Sequence, residues 1–200
     1  MFSGIIEALG RVKKIEKEGS NVHFTIEAPF TPELKIDQSV AHNGACLTVV
    51  AIDGNTYRVT AIDETMKKTQ LGDLHEDSIV NLERCVKLGD RIDGHMVQGH
   101  VDTTAICTKI VEQSGSWEFY FEYQTHPGHV TVPKGSITVN GVSLTVVESN
   151  ASSFSVAIIP YTYEHTNFNH IRVGNRVNIE FDIIGKYVAR YMAIGQIASV

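Results

Sequence analysis

Ser39-Val-Ala-His-Asn-Gly-Ala-Cys-Leu-Thr-Val-Val50 and Ser136-Ile-Thr-Val-Asn-Gly-Val-Ser-Leu-Thr-Val-Val147 are identical at seven of twelve positions and lie 97 residues apart. The same spacing carries Ile62, Thr65 and Thr69 onto Ile159, Thr162 and Thr166, and Val80-Asn-Leu-Glu83 onto Val177-Asn-Ile-Glu180. Nearer the start, Ser3-Gly-Ile-Ile-Glu7 matches Gln98-Gly-His-Val-Asp102 at a spacing of 95, a small loop change. Three matched blocks in one order mark a duplication, and each copy is long enough for its own core. The halves run 1–87 and 88–184, and a terminal segment, 185–200, follows.

Inside each copy the pattern is β. Short runs rich in Val, Ile, Thr and aromatics are separated by the turn dipeptides Asn43-Gly44, Asp53-Gly54, Asp93-Gly94 and Asn140-Gly141. Tyr57-Arg-Val-Thr-Ala-Ile62 alternates as a half-buried strand should, and Trp117-Glu-Phe-Tyr-Phe-Glu122 does so less cleanly. About six strands in under roughly 100 residues, with no helix long enough for a parallel crossover, predict a small antiparallel barrel in each half. Glu64 to Leu71 and Tyr161 to Phe168 read as one or two helical turns between strands. The C-terminus differs: Ile184, Tyr187, Val188, Tyr191, Ile194 and Ala198 fall at helical spacing, with Lys186, Arg190 and Gln196 on the other side. That apolar stripe is suited equally to its own barrel and to copies of itself.

The formal net charge of −6 and a pI near 5.8 argue against nucleic acid, which needs a clustered basic face. Lys13, Lys14 and Lys17 alternate with Glu16 and Glu18 and form no such face. No basic leader precedes the mildly apolar Met1–Gly10 stretch, and no run approaches the ~18 apolar residues of a membrane span. Three cysteines without C-x-x-C spacing, Cys46, Cys85 and Cys107, suit a reducing cytoplasm.

The Asn-Gly block is explained as a hairpin turn with its following strand. What the turn leaves unexplained is a small nucleophilic atom, Cys46 or Ser143, at the same place in both copies; packing and function both remain open there. His95, His100, His126 and His129 suggest a metal, but residues five apart in a strand face opposite sides, which separates His95 from His100. No zinc-type cysteine pair accompanies them, so no metal is expected. Phosphate-loop, dinucleotide and nucleophile-elbow motifs are absent. Two similar pockets should bind two similar ligands, and the residues alone lead no further.

Met1-Phe-Ser-Gly-Ile-Ile-Glu7, His42-Asn-Gly-Ala-Cys-Leu-Thr48, Gly94-His-Met-Val-Gln-Gly-His-Val101 and Ile137-Thr-Val-Asn-Gly-Val-Ser-Leu-Thr145 together resemble the riboflavin synthase family of α-chain type, over essentially the whole chain. The resemblance implies an all-β fold of two tandem, similar six-stranded antiparallel Greek-key barrels plus a C-terminal α-helix. It implies dismutation of two 6,7-dimethyl-8-ribityllumazine molecules: one donates a four-carbon unit to the other, giving riboflavin and a 5-amino-6-ribitylamino-pyrimidinedione, without cofactor. It implies a homotrimer joined by the terminal helices, with the first barrel of one subunit facing the second barrel of its neighbour. Association with lumazine synthase is left open.

Carried over by resemblance, the lumazine-contacting residues in the first barrel are Gly4, Ile5, Ile6, Leu47, Thr48, Thr60, Ala61, Ile62, Asp63, Glu64 and Thr65. In the second they are Gly99, Val101, Lys134, Leu144, Ala157, Ile158, Ile159, Pro160, Tyr161 and Thr162. Cys46, His100, Ser143 and Thr145 are the catalytic candidates, with Ser39 and Asp182 in support. Asn140 departs from the Asp of some relatives and cannot act as a base. A non-catalytic, antenna-type lumazine or flavin binder is the rival reading, and such proteins tend to lose part of the Cys/Ser/His set that this chain keeps.

Overall fold

A computed structural model describes residues 1–197, with side chains through Ile194. Among the described residues the first half contributes β1 (Ala8–Glu18), β2 (Asn21–Glu27), β3 (Ser39–His42), β4 (Ala45–Asp53), β5 (Thr56–Ala61) and β6 (Ile79–Arg84). These close into an antiparallel barrel in the order β1-β2-β5-β4-β3-β6. The second half repeats the order with β7 (Thr103–Gln113), β8 (Ser116–Tyr123), β9 (Ser136–Val139), β10 (Val142–Ser149), β11 (Ser153–Ile158) and β12 (Arg176–Phe181). The neighbours β2–β5 and β3–β6 are not consecutive in the chain, which is the Greek-key arrangement. Bulges bend matching strands in both halves, between Val12 and Lys14 in β1 and between Cys107 and Lys109 in β7. Such bulges let a short sheet curl shut.

The Asn-Gly turns are as their sequence demands. Asn43 and Gly44 have φ of 46° and 82°, and Asn140 and Gly141 have 46° and 81°, the double left-handed pair of a type I′ hairpin. Two helical turns, α1 (Asp63–Lys68) and α2 (Pro160–His165), cross between strands and deliver Leu71 and Phe168 as fully buried plugs into the two cores. The repeated threonines explain how. Thr69 donates to the Thr65 carbonyl at 2.7 Å and accepts from Leu71 N, while Thr166 donates to the Thr162 carbonyl at 2.6 Å and accepts from Phe168 N. Each pair caps the turn that follows and fixes the backbone of Thr65 or Thr162.

The barrels meet on a local twofold. Gly44 and Gly141 pack backbone to backbone; a Cβ on Gly44 would lie 2.8 Å from the Gly141 nitrogen, and one on Gly141 would lie 2.7 Å from that of Gly44. Around them, buried amides join the halves. Asn81 donates to the Asn140 carbonyl and to Asn167 Oδ1, both at 2.9 Å, and accepts from Asn167 N at 2.7 Å. Asn178 donates to the Asn43 carbonyl at 2.8 Å and accepts from Gln70 N at 2.6 Å. Arg176 adds a bidentate ion pair to Asp73 from the opposite half. Asn140 therefore belongs to this interface through its carbonyl, while its Oδ1 accepts from Asn178 N at 2.8 Å within the second half.

The last helix, α3 (Ile183–Ile197), is tethered by Lys186, which bonds both oxygens of Asp102 at 2.8 and 2.9 Å. Its apolar stripe is not covered by its own barrel: Ile184, Tyr187, Val188, Tyr191 and Ile194 are between 49 and 80% exposed. Ala198 of the expected stripe lies outside the described residues. No helix among the described residues is long and apolar enough to cross a membrane.

One difference between the cores yields a test. His42 and Tyr57 are buried in the first barrel where Val139 and Phe154 stand in the second. The His42 ring donates from Nδ1 to the Val40 carbonyl at 3.0 Å and accepts from Tyr57 Oη at 2.7 Å. Burial pulls the imidazole down from its usual 6.5 to about 4. The folded state thus refuses a proton that the unfolded chain takes up. The stability contributed is complete above pH 6.5 and is lost as pH falls toward 4, about 3 kcal/mol at most. The double substitution H42V/Y57F replaces both partners with the second barrel's own residues. It should be near neutral at pH 7, since both partners of the His42–Tyr57 bond are removed together, and should flatten thermal stability between pH 6.5 and 4 relative to the unaltered protein.

Candidate active site

The segments ahead of β1 and β7 decide the geometry, because each is held by one barrel and completes the other. Glu83, at the end of β6, accepts Ser3 N at 2.6 Å, Ser3 Oγ at 2.8 Å and Gly4 N at 3.0 Å. The Gly4 carbonyl then accepts Ser143 N of the second barrel at 2.7 Å. Its mirror is Glu180 of β12, which accepts Gln98 N at 2.7 Å and His100 N at 2.8 Å, while the Gly99 carbonyl accepts Cys46 N of the first barrel at 2.8 Å. Both carboxylates are buried, and burial raises both pKa values against the pull of the amides. The two segments pair with each other through Phe2 and Val97. Val101 packs on the first core and Ile6 on the second.

The assignment by halves is therefore crossed. Gly4, Ile5 and Ile6 had been expected at the first barrel and Gly99 and Val101 at the second; the structure sets Gly4 and Ile6 against Ser143 and the second barrel, and Gly99 and Val101 against Cys46 and the first. The physical reason is that a β1-type lead-in long enough to reach its own Glu clamp overshoots into the neighbouring hairpin. Glycine is required at both crossing points. With φ of 78°, a Cβ on Gly4 would fall 2.6 Å from Ser143 Cβ, and one on Gly99 would fall 2.7 Å from Cys46 Cβ.

Cys46, Glu64, Thr65, Lys68, Gly99, His100 and Val101 line a cleft of about 240 Å³ on the first barrel. Cys46 and His100 are thus brought together. Burial raises the Cys46 thiol pKa, with a hydrogen bond from Ser39 working against it. Leu47 and Ala61 point into the core, and Thr48, Ile62 and Asp63 lie exposed. Thr60 is already engaged: His23 donates to Glu18 through Nε2 and accepts Thr60 Oγ1–H at 2.9 Å. Asp63 and Glu64 pair with Lys67 and Lys68 one turn along. A larger groove, about 900 Å³, runs past Ile5 and Ser39, but its walls are the mutually paired Glu7, Glu33 and Arg84. The smaller cleft is the one that carries Cys46 and His100.

On the second barrel, Ser143 and Leu144 are half-buried and Thr145 is exposed. Ile158 is buried, while Ala157, Ile159, Pro160 and Tyr161 are exposed and Thr162 is half-buried at the start of the turn. Lys134 occupies a left-handed turn position, φ 68°, matched by Asp37 in the first half. Ser143 and Thr145 are therefore on a different barrel from Cys46 and His100, and the four candidates form two groups. The exposed apolar Ile62 and Ile159, 55 and 59% accessible, stand at matching places in the two halves.

Three residues with a part in this geometry were not anticipated. Glu83 and Glu180 had a signal, since the matched Val-Asn-Leu/Ile-Glu blocks end on them. His95 bonds Ser143 Oγ at 2.6 Å, and Gly94 is what lets it approach. The premise of strand alternation for His95 and His100 fails, because 94–102 runs as an irregular segment between barrels. They are separated by that route, one at each barrel.

Two closed barrels with crossed lead-in segments, and with Cys46 and Ser143 at matched positions, define a tandem-barrel, duplicated class of protein. The Lumazine binding domain family model matches residues 3–85 and 98–182. Riboflavin synthase of Bacillus subtilis is 40% identical, with 96% of this chain and 90% of that protein covered. Riboflavin synthase of Mycobacterium bovis is 42% identical, covering 96% of this chain and 98% of that protein. A solved structure, LumP complexed with 6,7-dimethyl-8-(1'-D-ribityl) lumazine, superposes with a TM-score of 0.82 at 25% identity, covering 91% of this chain and 99% of that one. The chain belongs to the riboflavin synthase family, enzymes built on the duplicated lumazine-binding domain.

Proposed function

We propose that this protein converts two molecules of 6,7-dimethyl-8-ribityllumazine into riboflavin and a 5-amino-6-ribitylamino-pyrimidinedione by transfer of a four-carbon unit. The observation that carries the reading is the pair of crossed, matched half-sites, each with a small nucleophilic side chain at the same register, in a member of this enzyme family. Two similar clefts suit a reaction that consumes two identical molecules. Holding both in one orientation removes much of the entropic barrier, up to ~7–11 kcal/mol in favourable cases. Strand-edge amides and threonine hydroxyls would read the pyrimidine edge, with Ile62 and Ile159 over the ring faces.

The first-barrel cleft is not a complete site alone. At about 240 Å³, it falls below the roughly 300–1,000 Å³ that encloses a drug-sized ligand. We infer that the first barrel of one subunit closes on the second barrel of the next, in a trimer joined through the uncovered stripe of α3. Cys46 and His100 would then face Ser143 and Thr145 across the subunit boundary. Absorbance of riboflavin on mixing the protein with dimethylribityllumazine alone tests the function. One riboflavin per two substrates is expected; saturable binding with no product would sustain the antenna-type reading instead.

A further inference from the structure

The matched positions Cys46 and Ser143 are not chemically matched. Ser143 Oγ lies 2.6 Å from His95 Nδ1, and the other face of that ring, Nε2, lies 3.3 Å from Thr138 Oγ1, which is buried on β9. Among the described residues no imidazole is hydrogen-bonded to Cys46 Sγ. The backbone that carries the ring is fixed as well: His95 N donates to the Ser3 carbonyl at 3.1 Å. Gly94 makes the approach possible, since a Cβ there would lie 2.1 Å from Ser3 O and 2.9 Å from Ser143 Oγ. Burial lowers the His95 pKa, partly opposed by Asp182, so the ring is neutral near pH 7 and able to accept a proton. A hydroxyl, an imidazole acceptor and a third group orienting the imidazole form the arrangement by which an adjacent base draws the proton off a weak hydroxyl.

On the proposed function above, we propose that the Ser143–His95 pair is the base of the reaction and that the second-barrel half-site therefore holds the lumazine that loses a 7-methyl proton. Ser143 donates its proton to His95 Nδ1, and His95 Nε2–H donates to Thr138. When substrate binds, the 7-methyl C–H bond breaks and its electron pair stays on the lumazine ring system. Ser143 Oγ takes that proton as it passes its own to Nδ1, leaving an imidazolium that Asp182 balances. His95 acts through Ser143 and is a positioning and relay residue; Ser143 is the group that touches substrate. The first half-site, with Cys46 and no such partner, holds the other molecule.

The test is deuterium uptake at the 7-methyl group of dimethylribityllumazine in heavy water, followed by NMR beside riboflavin formation and lumazine affinity. His95→Asn keeps a hydrogen-bonding amide near the Nδ1 position but cannot take the proton. It should slow both enzyme-dependent exchange and kcat by about 10²-fold or more, leave KM within about threefold, and cost nothing further in an S143A background. His95→Gln serves the same purpose if His95→Asn is not folded by circular dichroism. Exchange and kcat within threefold of the unaltered protein, or losses that add in the double variant, overturn the pair. An unaltered protein that exchanges but makes no riboflavin refutes the function and keeps the base. One that does neither refutes both.

Discussion

Gly4→Ala should abolish the second-barrel half-site, and Gly99→Ala the first, although Gly4 belongs to the first half of the chain and Gly99 to the second. At each position an L side chain is strained by a φ of 78°, at roughly 1–3 kcal/mol. Each new Cβ also meets atoms 2.6–2.7 Å away, on Ser143 for Gly4 and on Cys46 and Phe2 for Gly99; overpacking of that kind adds roughly 1–3 kcal/mol. The cheaper response is for the lead-in segment to lift off the neighbouring hairpin. That breaks the bond from Ser143 N to Gly4 O or from Cys46 N to Gly99 O. Riboflavin formation should fall by at least ~10²-fold in either variant, because positioning errors of about 1 Å carry that cost. Trp117, the chain's one tryptophan, packs on the second core and stacks on Tyr163 at 3.9 Å. Its fluorescence should respond to Gly4→Ala and remain as in the unaltered protein for Gly99→Ala.

The second large effect is on stability. Asn81→Leu removes one side chain from the seam between the barrels and strands three buried partners: the Asn140 carbonyl, Asn167 Oδ1 and Asn167 N. Each buried polar group left without a partner costs about 1–3 kcal/mol, so the three together predict a loss of about 3–9 kcal/mol, a large share of the total for a small protein. Urea unfolding should show a lower midpoint together with an earlier separation of the barrels. Arg176→Ala, which breaks only the exposed pair with Asp73, should cost no more than about 1 kcal/mol.

Much of this architecture is legible in the sequence because it is local. Asn43-Gly44 and Asn140-Gly141 dictate their own turn, and the alternation of Tyr57 to Ala61 dictates a half-buried strand. Repetition at 97 residues makes two barrels of one. The terminal stripe also reads correctly as a helix. What periodicity does not carry is where an irregular segment goes. Ser3 to Ile6 and Gln98 to Val101 match each other in sequence whether they serve their own barrel or the other, so the crossing is invisible until Glu83 and Glu180 are seen to hold the backbone amides. The pairing of His95 with Ser143 is hidden for the same reason: the two are 48 residues apart and meet only because the lead-in of one half runs past the hairpin of its own barrel. Asn140, which cannot act as a base, is spent on the seam.

On the function proposed above, a working site combines the first barrel of one chain with the second barrel of another. Gly4→Ala chains keep the first cleft and Gly99→Ala chains keep the second, so the two variants, each inactive alone, can be dissociated, mixed and reassembled. Sites that form between neighbouring subunits in a ring should return roughly a quarter of the unaltered activity in an equal mixture. A mixture as inactive as its components would contradict the account and place the whole site within one chain.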